Sequence, residues 1–183
     1  AESANDYPSR PVKVVVPISA GSATDVVARL AAESLREALS QPFLIDNRPG
    51  AGGSLGSAVV AKAPPDGYTL LVVSSAHTAN PALYASLPYD TAKEFRGITM
   101  LATLPLILVV APSSNIRSVK DLLALAKAKA GQITYASSGV GSALHMGSEK
   151  FRAMAGFEGV HVPYRGTPEA LAQRSKLETA KWA

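Results

Sequence analysis

The chain lacks cysteine altogether and carries one tryptophan and four phenylalanines among its 183 residues. Without cysteine it can form no thiolate zinc site, iron–sulfur cluster, thiol nucleophile or disulfide scaffold. Its longest apolar run, residues 104–111 with Pro105 near the start, falls far short of the ~20 residues that a membrane helix requires. Charged residues make up 17% against 47% hydrophobic ones, so the composition of a disordered chain is missing. Lysine and arginine, 18 together, exceed aspartate and glutamate, 14 together, for a net charge of +4. That surplus suits an anionic small ligand. It is too scattered for a nucleic-acid partner, because no basic cluster occurs and few aromatic rings could stack on bases.

What is present is enough for one ordinary domain or two small ones, with a core that needs no metal or disulfide staple. From Pro11 onward, short β-branched runs alternate with longer helical patterns, the signature of βαβ units and a parallel sheet. The fold class is therefore α/β. Residues 12–16 read as a near-continuous apolar strand, as expected where helices cover both faces. Over residues 25–40 the apolar positions Val26, Val27, Leu30, Ala31, Leu35, Ala38 and Leu39 recur at helical spacing, and Pro42 ends the helix. Strands follow at residues 43–46 and 69–74, with a helix at 54–63 stopped by Pro64-Pro65-Asp66-Gly67. Residues 75–95 read as a long loop with at most a helical turn at 80–84. Residues 98–104 and 106–111 are two strand candidates divided by Pro105, a crossover between lobes. Then come a helix at 118–130 capped by Ser118, a strand at 133–136, a helix at 142–155 and a strand at 160–162.

Three loops share one design, in which a strand ends, Gly and Ser or Thr follow, and a helix begins. They are Pro17-Ile18-Ser19-Ala20-Gly21-Ser22-Ala23-Thr24-Asp25, Ser74-Ser75-Ala76-His77-Thr78-Ala79-Asn80 and Ser137-Ser138-Gly139-Val140-Gly141-Ser142-Ala143-Leu144-His145. In an open parallel sheet such loops lie at the carboxyl ends of the strands, where ligands bind. Helix N-termini there offer free N–H groups and a positive dipole end to an anion. Each loop can equally be no more than a well-made turn and cap.

The enzyme and nucleotide motifs fail on spacing. The run Gly50-Ala51-Gly52-Gly53-Ser54-Leu55-Gly56 has Leu55 where a dinucleotide fingerprint needs Gly or Ala, and counting from Gly139 puts Leu144 there. A Gly-rich turn feeding a close-packed helix is the simpler reading. Tyr135-Ala136-Ser137-Ser138-Gly139 lacks the first glycine of a nucleophile elbow, and no zinc-protease helix motif occurs. His77, His145 and His161 are far apart in sequence, and Asp25 is the one carboxylate of the first loop.

The runs Tyr7-Pro8-Ser9-Arg10-Pro11-Val12-Lys13-Val14-Val15-Val16-Pro17, Asp25-Val26-Val27-Ala28-Arg29-Leu30, Asn47-Arg48-Pro49-Gly50-Ala51-Gly52-Gly53 and Pro65-Asp66-Gly67-Tyr68-Thr69-Leu70-Leu71 resemble the Bug family. These are periplasmic substrate-binding receptors of tripartite tricarboxylate transporters. Further matches are Asn80-Pro81-Ala82-Leu83-Tyr84, Leu87-Pro88-Tyr89-Asp90, Ser137-Ser138-Gly139-Val140-Gly141-Ser142 and His161-Val162-Pro163-Tyr164-Arg165-Gly166, so the resemblance runs in order from Tyr7 to Leu171. It implies a type II periplasmic-binding-protein fold of two α/β lobes that closes on a small carboxylate, a di- or tricarboxylate, an acidic amino acid or an aromatic acid, and delivers it to a membrane permease. It implies no enzyme, no cofactor and no metal. Carried over by position, it assigns ligand contacts to Gly21, Ser22, Ala23, Thr24 and Asp25, to Ser75, His77 and Thr78, and to Ser137, Ser138, Gly139, Gly141 and Ser142. The family's first loop has two adjacent glycines; Ser22 stands in place of the second.

The family's chains are longer. The expected organisation is a near-complete first lobe at residues 1–104, a partial second lobe at 105–172, and at 173–183 a segment resembling the family's terminal helix. An incomplete parallel sheet leaves an exposed edge that favours association. The opening Ala1-Glu2-Ser3-Ala4, without Met, reads as a secreted chain after signal-peptide removal, which places it in the periplasm. Beside the receptor stand two other readings, a degenerate receptor that folds without binding and a small α/β hydrolase-type enzyme.

Overall fold

The computed structural model describes residues 7–172. The expectations for the leader and for the terminal helix at 173–183 lie outside the described residues. The chain separates into two compact units with the division between Thr103 and Leu104. Both are α/β with parallel strands, as the alternating pattern requires.

In the first unit, strands β1 (Val12–Val16), β2 (Phe43–Asn47) and β3 (Thr69–Leu71) form a parallel sheet in the order β2-β1-β3. The central strand is buried at every position except Lys13, which is why its sequence is a valine run rather than an alternation. Val12, Val14 and Val16 pack with Phe43, Tyr68 and two alanines of helix α1 (Ala23–Leu39), Ala28 and Ala32. The helical spacing is confirmed, but the face it buries is a different one. Val26 and Leu30 are exposed while Ala28 and Ala32 meet the sheet, because small side chains let the helix lie close to the strands.

A 3₁₀ turn at Ala51–Gly53 leads into helix α2 (Ser54–Ala61). A Cβ on Gly56 would sit 2.6 Å from Pro17 Cβ and 2.9 Å from the Arg48 carbonyl oxygen. The glycine run thus serves close packing of helix on strand ends.

Two expectations are corrected here. Residues 75–95 are not loop throughout, since Ala76–Leu83 form helix α3 with Pro81 inside it. The proline removes one N–H near the end of a two-turn helix, and Tyr84 N–H still reaches the Asn80 carbonyl at 3.0 Å. Neither strand candidate at 98–111 is a strand. Ile98 and Met100 are 79% and 81% exposed, because β-branched residues form a strand only where a neighbour offers a ladder, and none does among the described residues.

In the second unit, helix α4 (Val119–Ala128) begins where expected, with Ser118 Oγ accepting from Asp121 N–H at 3.1 Å. Strands β4 (Ile133–Ser137) and β5 (Gly159–Pro163) run parallel, joined by helix α5 (Ala143–Ala155). Their register sets Tyr135 opposite His161 and Ser137 opposite Pro163. Residues 167–172 are helical.

Candidate functional site

In each unit the candidate residues gather where a strand hands over to a helix. In the first unit the chain leaves β1 at Pro17 and turns tightly, with Ser22 N–H bonded to the Ser19 carbonyl, before entering α1. Asp25 organises this turn. Its Oδ2 accepts from Gly21 N–H at 2.9 Å and from Arg29 Nε at 2.9 Å, and its Oδ1 accepts from Asn47 Nδ2 at 2.8 Å. Asn47 also donates to the Ile18 carbonyl at 3.1 Å, so the end of β2 is tied to the loop after β1. Burial acts to raise the Asp25 pKa, but the hydrogen bonds from Arg29, Gly21 and Asn47 outweigh it and hold the carboxyl below its ordinary range. Asp25 is therefore an ionised clamp with three partners.

Ser22, the residue before α1, is 2% exposed, yet its hydroxyl makes no cap bond and has no partner. The buried hydroxyl of Ser19 also has none. Ala23 and Thr24 open the helix, whose first-turn N–H groups have no partner within the helix. In the second loop, Thr78 Oγ1 donates to the Ser75 carbonyl at 2.8 Å. The His77 ring lies 3.3 Å through Nδ1 from Ser57 Oγ and packs against Tyr89 and Phe95. Burial lowers its pKa. His77 is thus embedded in an aromatic cluster, and Asn80 behind it is buried with an unpartnered Oδ1.

In the second unit the loop after β4 bonds to itself. Ser137 Oγ donates to the Gly139 carbonyl, accepts from Gly139 N–H, both at 3.2 Å, and lies 2.7 Å from His161 Nε2. Gly139 has φ +120° with the Tyr164 carbonyl 3.1 Å from where a Cβ would stand, so any side chain there would be strained and tightly placed. Ser142 Oγ caps α5 by accepting from His145 N–H at 3.2 Å, and Gly141 N–H donates to His145 Nδ1 at 3.2 Å. Ser137, Ser138 and Ser142 are all buried.

The Ser137–His161 distance is that of a nucleophile and its base, but the chemistry does not follow. Ser137 is 1% exposed and engaged with the Gly139 backbone, and no carboxylate hydrogen bonds to the His161 ring among the described residues. An acyl-transfer site needs an accessible hydroxyl and a third group that orients the base. No group of three acidic or histidine side chains could hold a metal among the described residues, and none of the described helices is long and apolar enough to cross a membrane.

The sequence left Ser19 and Asn47 out of the site, and it singled out His145 and His161 without giving them a ligand contact. Ser19 was visible in the loop itself. Asn47 enters through the parallel register that sets it beside Val16, and His161 through the register that sets it beside Tyr135.

A parallel α/β scaffold with Gly- and Ser-rich loops at its strand ends is of the class that binds ligands beyond the carboxyl ends of its strands. The model of the tripartite tricarboxylate transporter family receptor matches residues 27–178, and the chain belongs to that family. It is 37% identical over 171 residues to BugT of Bordetella pertussis, covering 92% of this chain and 52% of that one. Among solved structures, R. palustris Rpa4515 with adipate superposes with a TM-score of 0.90 at 37% identity, covering 93% of this chain and 57% of that one. MatC from Rhodopseudomonas palustris with bound malate gives 0.82 at 30%, covering 94% and 58%. The chain spans about half the length of the curated relatives it matches. The resemblance to the Bug family and the α/β periplasmic-binding-protein class are thereby established.

Proposed function

We propose that this chain carries ligand-binding elements of a periplasmic solute receptor that takes a small dicarboxylate and passes it to the permease of a tripartite tricarboxylate transporter. The observation that carries the reading is the pair of buried, unpartnered hydroxyls, Ser19 and Ser22, at the start of α1. A buried hydroxyl without a partner costs about 1–3 kcal/mol, and a carboxylate at a helix N-terminus would relieve that cost while interacting with the dipole. The ligand contacts are Gly21, Ser22, Ala23 and Thr24, with Asp25 shaping the turn, Ser75, His77 and Thr78 in the second loop, and Ser137, Ser138, Gly139, Gly141 and Ser142 in the second unit. The adipate and malate in two structural neighbours support a dicarboxylate over an aromatic acid. The exposed apolar run around residues 98–110 and the open sheet edge support self-association of this chain.

The test is thermal unfolding with adipate, malate, succinate, citrate and glutamate. Ligand at a hundred times its dissociation constant stabilises by about 2.7 kcal/mol, which raises the melting temperature of a chain this size by roughly 5–10 °C. A shift of that order with a dicarboxylate supports the receptor. A cooperative melt that no acid moves would mean a fold that has lost its ligand.

A further inference from the structure

The loop at residues 137–142 is held by two imidazoles that lie face to face. His145 on α5 accepts from Gly141 N–H through Nδ1, and His161 on β5 contacts Ser137 Oγ through Nε2. Their rings stack at 4.1 Å between centroids and 23° between planes, and Tyr135 of β4 also stacks with His161 at 5.2 Å. The ionisable neighbours are few. Glu149 of α5 lies 4.0 Å from His145 Nε2, and it is bonded to the Tyr135 hydroxyl and to Arg152, which also pairs with Glu158.

We propose that His145 and His161 are positioning residues of this loop, which present the Gly139 and Gly141 segment in binding geometry only while the His145 ring is neutral. This rests on reading the loop as part of a carboxylate site. The Gly141 N–H can be received only by a ring nitrogen with a free lone pair, so His145 must be the neutral tautomer with its proton on Nε2. Protonation puts a hydrogen on Nδ1 and turns donor against donor. The Ser137 contact survives in either charge state, since a hydroxyl oxygen accepts from a protonated ring. Two positive rings at 4.1 Å repel each other, so the second proton is harder to add than the first. Glu149 favours the charged rings, but Arg152 beside it opposes that. Burial lowers the pKa of both histidines, and for His161 the charge of His145 lowers it further against the pull of Glu149.

The experiment is an amide and imidazole NMR titration of the full chain from about pH 8 to pH 5, with adipate binding measured by calorimetry at both ends. The Gly141 amide signal is expected to move with the same midpoint as the His145 ring. Its protection, corrected for intrinsic exchange, is expected to fall roughly five- to tenfold in the charged state, and adipate affinity to weaken by a similar factor. His145→Asn places a carbonyl oxygen near the Nδ1 position without a titrating group and is expected to remove the step. A Gly141 amide that stays put while His145 titrates overturns the proposal, as does a step that persists in His145→Asn. If adipate binds at neither pH, the carboxylate reading fails, while the amide titration of the native chain still decides what His145 does.

Discussion

Removing the Asp25 carboxylate is expected to loosen the loop after β1 and the end of the sheet tied to it together. In Asp25→Ala, the Gly21 N–H and the Asn47 amide lose an ionised acceptor at 2.9 and 2.8 Å. Hydrogen bonds to a charged group contribute about 1.5–3 kcal/mol each. Gly21 is exposed and water can replace part of its bond, so the lower end of the range applies there. The Arg29 contact adds little, because 52% of that side chain is exposed and water screens the pair. The expected loss is about 3 kcal/mol, which at a urea slope near 2 kcal/mol/M moves the midpoint down by about 1.5 M. Arg29→Ala should move it far less. The pH dependence follows from the direction of the shift. A carboxyl held below its unfolded value of about 3.9 contributes stability that is present above that pH and is lost as pH falls through the folded value. Asp25→Ala should therefore flatten the acid limb of the stability curve below about pH 4. Equilibrium urea unfolding at neutral and acid pH decides the matter. A neutral-pH loss under about 1 kcal/mol, or an unchanged acid limb, would refute the account of Asp25 as an ionised clamp.

Two serines at helix starts are expected to respond in opposite ways. Ser22→Ala removes a buried hydroxyl without a partner and should leave the free protein as stable or more stable by about 1 kcal/mol, while adipate binding in calorimetry weakens. Ser142→Ala removes the cap of α5 and should cost about 1 kcal/mol in urea unfolding whether ligand is present or not. The apolar run is expected to hold copies of the chain together, so light scattering should show a dimer or larger species that dissociates in an Ile107→Glu, Val109→Glu double variant. A monodisperse native monomer would refute that last expectation.

The parts of the fold that were legible in the sequence are those whose local pattern has one physical meaning. A valine run such as residues 12–16 fits only a strand covered on both faces, and Ser118 before an apolar-periodic stretch fits only a helix start. The buried face of α1 was not legible, because spacing marks Val26 and Leu30 as readily as it marks the alanines that meet the sheet. Helix α3 was hidden by Pro81, whose cost depends on its distance from the helix end. The run at 98–111 has strand propensity but no partner strand, and propensity alone makes no ladder. In the site, the loops announced themselves through Gly and Ser after β-branched runs. Their supports did not, since Asn47 lies 22 residues from Asp25 and His161 lies 24 from Ser137, and only the parallel registers bring them in.

The two best-formed loops have similar sequences and opposite hydrogen-bond states, and the difference bears on how such a protein can discriminate. In the second unit the Ser137 and Ser142 hydroxyls satisfy backbone groups of their own loop and helix, so the ligand contacts proposed for these two residues fall to their backbone. In the first unit the carboxylate of Asp25 fixes the backbone, and that leaves Ser19 and Ser22 without partners. A glycine in place of Ser22, as in the family's usual pattern, would offer no such group. Backbone N–H groups read negative charge and the spacing between charges, whereas an unpartnered hydroxyl adds a donor and an acceptor at one fixed point. A ligand that lacks a matching group leaves that hydroxyl buried and unpaired, which rejects analogues more sharply than a difference in apolar size does. On the proposed dicarboxylate reading, selectivity should therefore lie at Ser22 more than in the glycine loops, and substituting it should widen the ligand range as well as weaken binding.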